Sequence, residues 1–245
     1  LAAADALPKK YKVWLTDQKG LSSPKKEAET LGCIPDLSDP TKAWKNLKTA
    51  VANAQSGGLI TVTGEVKATN DDGNSGEMIV NKSITIRGRS GAVLNAQLGM
   101  SSPPPNAPTS QFRIFKVSGN NTELTLENLT LKNGFLNSTY SFGGAMYIDE
   151  IKTLTLTNCT INACKAYTGG GIFLSGGGKA ILTGCTITNC ETTGSSGGAI
   201  AAAEFNNKHP VVYIKVSTIK DNTGHITGGA IDILEGSLYI NTDEN

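Results

Sequence analysis

Short runs in which apolar and polar residues alternate fill the chain from residue 59 onward. Three early examples are LITVTGEV (59–66), MIVNKSITIRG (78–88) and FRIFKV (112–117). Alternation with a period of two points successive side chains to opposite faces, which predicts β-strands. The proline-rich segment SSPPPNAP (101–108) interrupts this pattern. We expect it to project as a loop, because proline cannot donate a hydrogen bond to a sheet.

Two blocks of sequence recur along the second half of the chain. The first is LTLENLTLKN (124–133), which returns as LTLTNCTINAC (154–164), AILTGCTITNC (180–190) and, loosely, VYIKVSTIKDN (212–222). The second is a glycine pair followed by an apolar strand, found as GGAMYI (143–148), GGGIFL (169–174), GGAIAA (197–202) and GGAIDI (228–233). Successive glycine pairs are 26, 28 and 31 residues apart, and such a period is typical of repeat architectures.

The apolar residues of the first block predict a bend inside it. Leucines precede and follow Asn128 in two alternating pairs, and strict alternation across the block would point the two pairs to opposite sides. A corner at Asn128 lets both pairs face inwards, since asparagine tolerates the left-handed backbone region that tight corners need. Gly184 stands at the same position in a later copy and has the same conformational freedom.

Two strands from the first block and one from the glycine block close a triangular coil. A single coil buries almost nothing, so the coils must stack, with parallel strands about 4.8 Å apart. The sequence therefore predicts a right-handed parallel β-helix of about six or seven coils over residues 59–245. A jelly roll or sandwich is the alternative, but neither needs this register. Two inward-facing ladders are expected, formed by Leu126, Leu156, Leu182 and Ile214 and by Leu131, Ile161, Ile187 and Ile219.

An amphipathic helix is predicted just before the strands, in residues 41–58. Its apolar positions recur at three- and four-residue intervals, which places them on one face; they are Trp44, Leu47, Val51 and Ala54. Asp39 or Thr41 is expected to cap its start, and a glycine pair to end it. We expect this helix to cover the first coil, since a solenoid end otherwise exposes its core and an unpaired edge. Residues 1–40, with scattered prolines and little periodicity, are predicted to be an N-terminal arm or linker.

At the other end, LYIN (238–241) begins another copy of the repeat. An open strand edge is an aggregation hazard. We therefore expect further coils beyond residue 245, or a paired end.

Composition narrows the classes of function. Charged residues make up 18% of the chain and glycines number 28, which suits many short strands joined by tight turns. The net charge is +1, and no basic stripe alternates with aromatic residues, so a nucleic-acid partner is not expected. No run approaches the ~18–20 apolar residues that span a bilayer, so we do not expect this fragment to cross a membrane.

The glycine block resembles the repeats of the polymorphic outer-membrane proteins of Chlamydia and of some spirochaete surface proteins. In that family a GGAI tetrapeptide is coupled to an upstream Phe-x-x-Asn. GGAI stands at 197–200 and 228–231, with close variants at 143–146 and 169–172. The upstream half is altered: Asn222 is kept, with isoleucine in place of phenylalanine, and two other copies end in cysteine. The resemblance covers about residues 120–241 and implies a β-helical, adhesin-like region displayed at a bacterial surface.

Four of the five cysteines form two pairs in register, Cys159 with Cys185 and Cys164 with Cys190, each 26 residues apart. One coil apart, their Cα atoms would lie about 4.8 Å from each other, inside the range that a disulfide accepts. Two interpretations stay open: disulfides, or ladders of buried free thiols, which awkward Cβ directions between parallel neighbours favour. A metal site is not expected, because the chain has no CxxC spacing. Cys33 has no evident partner.

Candidate catalytic residues are few. Lyases and glycosidases built on β-helices need clustered carboxylates with a lysine or arginine nearby. Asp149, Glu150 and Asp232 are the candidates, but three coils separate Asp232 from the other two. Phe173 and Ala201, which are not acidic, stand at the aligned positions between them.

Other polar candidates are better explained by loops and corners. The DDGN segment (71–74) resembles half of a calcium loop but lacks the terminal glutamate, so we expect a polar hairpin or corner. His209 and His225 stand in loops, where surface positions are the usual interpretation. All three arginines precede the regular coils, although a site that neutralises uronates needs several; they are Arg87, Arg89 and Arg113. No catalytic, cofactor-binding or metal-binding residue is predicted.

These observations favour a non-enzymatic binding module, extracellular or at a bacterial cell surface or outer membrane, whose partner is a host protein or a glycan. A carbohydrate-active enzyme, similar to a polysaccharide lyase or glycosidase, is the alternative. Loops 101–110, 134–142 and 203–210 vary most between copies and are the candidate contact regions. The aromatic residues near them either contact a partner or cap the core; they are Tyr140, Phe142, Tyr147 and Phe205.

Overall fold

The computed structural model describes residues 32–241, which wind into stacked coils of parallel strands. In chain order the elements are β1 (Gly32–Cys33), α1 (Ala43–Asn53), β2 (Gly58–Lys67), β3 (Met78–Val80), β4 (Ile84–Asn95), β5 (Phe115–Ser118), β6 (Glu123–Glu127), β7 (Thr130–Lys132), β8 (Met146–Asp149), β9 (Thr153–Thr157), β10 (Thr160–Asn162), β11 (Lys165–Ala166), β12 (Ile172–Ser175), β13 (Lys179–Thr183), β14 (Thr186–Thr188), β15 (Glu191–Thr192), β16 (Ile200–Ala203), β17 (Val211–Lys215), β18 (Thr218–Lys220), β19 (Ile231–Leu234) and β20 (Ser237–Ile240).

The strands lie on three faces, and each pairs in parallel with its equivalent in the next coil. The first face holds β1, β6, β9, β13, β17, β20 and the N-terminal parts of β2 and β4; the second holds β7, β10, β14, β18 and the C-terminal parts of β2 and β4. The third holds β3, β5, β8, β12, β16 and β19, while β11 and β15 form a short extra pair. Coils from β2 to β19 number about six, and β20 begins another, which confirms the predicted right-handed parallel β-helix.

Both predicted core ladders are confirmed. The first consists of Leu126, Leu156, Leu182 and Ile214, and the second of Leu131, Ile161, Ile187 and Ile219. All eight side chains are buried except Ile219, which is partly buried in the last coil. Burying one leucine or isoleucine stabilises a fold by about 1.5–3 kcal/mol, so the ladders are what holds successive coils together.

Left-handed residues form the corner between the first and second faces. Asn128 (φ 54°), Asn158 (φ 52°) and Gly184 (φ 64°) adopt this conformation, as predicted. Val216 takes the same position in the sixth coil with φ 47°, where a β-branched side chain is strained. A second row of left-handed residues leaves the second face, formed by Asn133, Ala163, Asn189 and Asp221.

Helix α1 packs against β2 and β3 at the N-terminal end of the solenoid. Its buried side chains include Trp44, Leu47 and Val51, which confirms the predicted apolar stripe. The predicted cap is wrong in detail. The Asp39 carboxylate accepts a hydrogen bond from the backbone N–H of Thr41 (2.9 Å), which precedes the helix, and the residue at the N-cap position makes no side-chain cap.

The loop between β2 and β3 caps α1 instead. The side chain of Asn74 is buried, and its Oδ1 accepts a hydrogen bond from the backbone N–H of Lys45 (3.0 Å). Its Nδ2 donates to the Pro40 carbonyl (3.0 Å) and to Thr69 Oγ1 (2.7 Å). The Asn74 N–H also closes a turn on the Asp71 carbonyl (2.9 Å), so the DDGN segment is a corner, as predicted, and fixes the helix as well.

The first coils depart from the predicted boundaries in two places. Strand β1 lies inside the predicted N-terminal arm, and Cys33 pairs there with Ile60. Residues 1–31 of that arm lie outside the described residues. The run predicted as one strand over 78–88 divides at a corner into β3 on the third face and β4 on the first. Alternation alone does not reveal this corner, because the backbone turns without interrupting the apolar pattern.

Candidate binding surface

In the four coils from β6 to β19, the segments that connect the second face to the third stack on one another along one corner of the solenoid. We call this corner the loop ridge; it consists of residues 133–145, 163–171, 189–199 and 221–230. Parallel pairing continues into the ridge through β11 and β15 and through a bridge between Phe142 and Thr168. Because of this pairing, the loops of the ridge are fixed to the neighbouring coils. The predicted contact loop 134–142 is one of them.

Tyr140 projects from the ridge. Its side chain is 76% exposed, although its backbone is left-handed, with φ 64°. A non-glycine residue in this region costs on the order of 1–3 kcal/mol, and such residues cluster at ligand-binding sites. The next residue holds the conformation, because Ser141 Oγ accepts a hydrogen bond from the Tyr167 N–H (3.2 Å) and the Ser141 carbonyl accepts one from the Thr168 N–H (3.0 Å).

Tyr167 on the following coil stands beside Tyr140, with the two ring centroids 6.0 Å apart and the planes tilted by 48°. The Tyr167 ring lies across the backbone of the next coil at Gly194. A Cβ atom at Gly194 would fall 2.2 Å from Tyr167 Cε2, so any side chain there would displace the ring. Sequence analysis missed Tyr167, because the repeat does not mark it: Ala166 pairs with Thr192 in the next coil, and Gly194 lies two residues beyond that pair.

A second aromatic group covers the outer surface of the third face. Phe142 and Tyr147 lie 4.5 and 5.9 Å from Phe173 between ring centroids, and Phe173 is buried. The Arg113 guanidinium lies 5.1 Å from the Tyr147 ring centroid, and its Nε lies 3.7 Å from Glu77 Oε2. Burial raises the pKa of Tyr147 and lowers the pKa of Arg113. Phe142 and Tyr147 therefore pack against the third face, whereas the Tyr140 side chain lies beside Tyr167 and is mostly exposed to solvent.

The predicted contact loop 203–210 forms a tight hairpin at a different corner, between the third and first faces. Phe205 and Lys208 pair in antiparallel fashion around Asn206 and Asn207, whose φ angles of 55° and 56° suit a two-residue hairpin turn. Lys208 Nζ lies 3.3 Å from Glu150 Oε2, and Asn206 Nδ2 lies 3.4 Å from Glu150 Oε1. The hairpin is thus tied to a coil two turns earlier, and its Phe205 is 50% exposed.

The candidate carboxylates do not come together. Asp149 belongs to the row Ser118–Asp149–Ser175–Ala203. Asp232 lies in the row of Tyr147, Phe173 and Ala201, two positions earlier along each strand. Three strand spacings separate the coils of Asp149 and Asp232, which is about 14 Å at ~4.8 Å each. Glu150 is occupied by the hairpin, as described above.

The remaining polar candidates are dispersed. His209 Nδ1 lies 2.7 Å from the Glu235 carbonyl oxygen, and His225 is exposed on the loop ridge. Between residues 32 and 241, no three histidine, cysteine, aspartate or glutamate side chains are placed to hold a metal ion.

Burial governs the chemistry of the paired cysteines. All five cysteines are free thiols in the structure, and the four in the two pairs are buried. Burial raises the pKa of Cys159 to about 12 and also raises the pKa of Cys185 and of Cys164. These three thiols are therefore protonated and poorly reactive at neutral pH, because the thiolate is the nucleophile. Cys190 differs, since a hydrogen bond from the Cys164 thiol lowers its pKa.

Comparison with protein families gives one match. The family described as the right-handed beta helix region matches residues 115–245, which is from β5 onward and just over half of the chain. This match supports a β-helix protein but not the narrower polymorphic outer-membrane family. No curated protein and no solved structure matches the chain. Over the described range, the structure contains no helix that is long and apolar enough to span a membrane.

Proposed function

The chain belongs to the right-handed β-helix family, and from that premise we propose that it is a non-enzymatic binding module, secreted or exposed at a bacterial cell surface. In this proposal the solenoid is a rigid support, and the loops that vary between coils contact a host protein or a glycan. The resemblance of the GGAI blocks to bacterial surface repeats supports the location.

The main support for this proposal is the exposure of Tyr140 together with its left-handed backbone. An aromatic side chain that is 76% exposed contributes little to the stability of the fold, and the left-handed backbone at this residue costs free energy. Hydrogen bonds from the next coil hold the adjacent residue, Ser141, in place. Rigid, exposed aromatic anchors are typical of binding surfaces, because they offer large contact area at low entropic cost.

The arrangement of carboxylates supports binding rather than hydrolysis. Paired catalytic carboxyl groups in glycosidases lie about 5–9.5 Å apart, and the coils of Asp149 and Asp232 are separated by more than this. Tyr147, Phe173 and Ala201 fill the row that leads to Asp232. Within this row, Asp232 has no acidic neighbour.

A combined binding and turnover assay tests the proposal. The purified chain is presented to arrays of host matrix proteins and oligosaccharides with calcium present, and bound ligands are recovered and examined by mass spectrometry for cleavage. We expect saturable binding that Tyr140→Ala weakens, and intact ligands. Cleavage products that disappear in Asp149→Asn or Asp232→Asn would overturn the proposal in favour of a carbohydrate-active enzyme.

Location is tested separately on intact cells of the source organism. Antibody raised against the purified chain is expected to label unpermeabilised cells, or to detect the protein in the culture medium. Labelling that appears only after permeabilisation would contradict surface exposure and secretion.

A further inference from the structure

The side chains of the loop ridge indicate which class of ligand it binds, and this inference rests on the binding function proposed above. We propose that the loop ridge binds a neutral glycan, with Tyr140 and Tyr167 as the platform on which its sugar rings stack. The ligand lies along the solenoid axis, because the two tyrosines stand on successive coils and the Tyr167 ring continues over a third.

Charge is the first argument. Four stretches cover most of the ridge and reach into the third-face strands that follow it. None of them contains an aspartate, glutamate, lysine or arginine; they are residues 134–148, 166–178, 192–203 and 222–231. In a chain with 18% charged residues, stretches of this combined length would ordinarily carry several. At the inner edge of the ridge, Lys165 and Glu191 neutralise each other at 2.6 Å. In the last coil, Asp221 stands at the start of the ridge, where its carboxylate lies 3.8 Å from Lys220 Nζ. Apart from Lys165, Glu191 and Asp221, the ridge contains no aspartate, glutamate, lysine or arginine.

The absence of charge selects among ligand classes. Nucleic acids and anionic lipid surfaces bind through lysine and arginine side chains, and polysaccharides rich in uronate or sulfate need the same groups. None of the four stretches supplies them. A neutral oligosaccharide needs no charged partner, since it binds through hydroxyl groups and the apolar faces of its rings.

The exposed side chains match that chemistry. Tyr140 offers an apolar ring with a hydroxyl at its tip, and both parts are available because the side chain is 76% exposed. Exposed hydroxyls and an amide surround it in the same loop, on Asn137, Ser138 and Thr139. Hydroxyl and amide groups donate and accept hydrogen bonds without charge, as the hydroxyls of a sugar do.

The ridge is also organised before any ligand arrives. The Asn137 N–H donates to Gln111 Oε1 (2.8 Å), and Ser141 ties the other end of the loop to the next coil. Gly194 fixes the position of Tyr167, since only a residue without Cβ leaves room for that ring. A surface whose aromatic rings are already placed loses less conformational freedom on binding.

Isothermal titration of the full chain with neutral oligosaccharides tests this proposal, using oligomers of glucose, galactose, mannose and N-acetylglucosamine. Uronate-containing and sulfated oligomers of similar length serve as comparison ligands. We expect at least one neutral series to bind, with a Kd that changes less than twofold between 50 and 500 mM salt, because no ion pair forms. Tyr140→Ala and Tyr167→Ala are each expected to weaken binding tenfold or more.

Three further variants control for folding and for the type of contact. Tyr239→Ala removes an aromatic side chain that is 42% exposed on the first face, outside the variable loops, and is expected to leave the Kd unchanged. Tyr140→Phe keeps the stacking ring and is expected to retain most of the affinity. Gly194→Ala displaces the Tyr167 ring without altering either tyrosine and is expected to weaken binding. Circular dichroism and thermal unfolding verify that each variant folds.

The outcomes separate this proposal from the broader one. Binding of a host protein, a nucleic acid or acidic glycans alone would overturn the neutral-glycan assignment and leave the binding function standing. Neutral-glycan binding that survives both tyrosine substitutions would overturn the assignment to the ridge. Cleavage of a bound neutral glycan would overturn the non-enzymatic function but not the ligand class, and failure to bind any ligand would contradict both.

Discussion

Ala163 occupies a corner at which the preceding and following coils carry Asn133 and Asn189. All three residues are left-handed, and φ at Ala163 is 51°. Asparagine tolerates this region better than alanine, so Ala163→Asn is expected to stabilise the protein by about 1 kcal/mol. Denaturant unfolding monitored by circular dichroism measures the change. The reverse substitution Asn189→Ala should destabilise by a similar amount, and an unchanged midpoint in both variants would contradict a conformational origin.

Thiol labelling distinguishes buried free thiols from disulfides. In the folded protein at pH 8, the four paired cysteines should react with an alkylating reagent far more slowly than the half-buried Cys33, because the reagent cannot reach their buried sulfur atoms. After unfolding without reductant, mass spectrometry should find all five cysteines labelled. Labelling of only three cysteines would establish that one pair forms a disulfide, and labelling of only one would establish that both pairs do.

Some conformations of single residues could be predicted from the sequence, and others could not. The asparagine corners were predictable, since side-chain facing reverses at Asn128 within a few residues. The strain at Tyr140 was not, because alternation and composition say nothing about the sign of φ in a loop. Nor was the support of Tyr167 by Gly194, which depends on how two loops of unequal length align.

Among the secondary-structure elements, α1 depends on a residue that is distant in sequence. Asn74 is buried and supplies the hydrogen bonds to Lys45, Pro40 and Thr69 that fix the start of the helix. Asn74→Ala removes these three hydrogen bonds and is expected to cost about 1–3 kcal/mol in the free energy of unfolding. Asp39→Ala, which removes an exposed contact next to the helix, should change stability by less than about 0.5 kcal/mol. Equal effects of the two substitutions would contradict the capping role.

Strand β2 carries a carboxylate whose titration should be visible in stability. Burial alone would raise the pKa of Glu65, but hydrogen bonds from Lys132 (3.0 Å), Asn95 (2.9 Å) and Lys67 outweigh it and lower this pKa. A lowered pKa in the folded state contributes stability above the unfolded value of about 4.3 and loses it as the pH falls further.

Glu65→Gln is therefore expected to cost up to about 1 kcal/mol at pH 7, the range of a partly exposed ion pair. This cost should shrink as the pH falls from 7 to 3, because the stabilising contribution is lost as the wild-type carboxylate takes up a proton. Urea unfolding of both proteins at the two pH values measures it. A difference between the proteins that is as large at pH 3 as at pH 7 would indicate a packing effect instead.

The elements divide into those that a local pattern reveals and those that it does not. The repeated strands were predictable because each apolar position in one coil recurs in the next, as Leu126 and Leu156 do. Strand β1 was not, since two residues are too short to show alternation. The cap from Asn74 was also missed, because the contact spans 29 residues and no capping motif marks it.

At the scale of the whole molecule, the two ends of the described solenoid differ. Helix α1 packs on the first coil, whereas the apolar residues of β20 are exposed, with Ile240 at 57%. Local stability follows burial, so amide hydrogens of β18 and β20 should exchange much faster than those of β10 and β13. Hydrogen–deuterium exchange with mass spectrometry tests this directly. Uniform protection from the first coil to the last would mean that another copy of the chain covers the open end in solution.

The regular register of the core ladders also determines how genes for such a protein can change in length. A duplication that spans one coil, such as residues 158–183, would add one layer and lengthen the rod by about 4.8 Å. Every later side chain would keep its face, whereas loss of a single residue within a strand would turn the rest of that strand inside out. Recombination in whole-coil steps can therefore alter the reach of the loop ridge while the core that supports it stays intact.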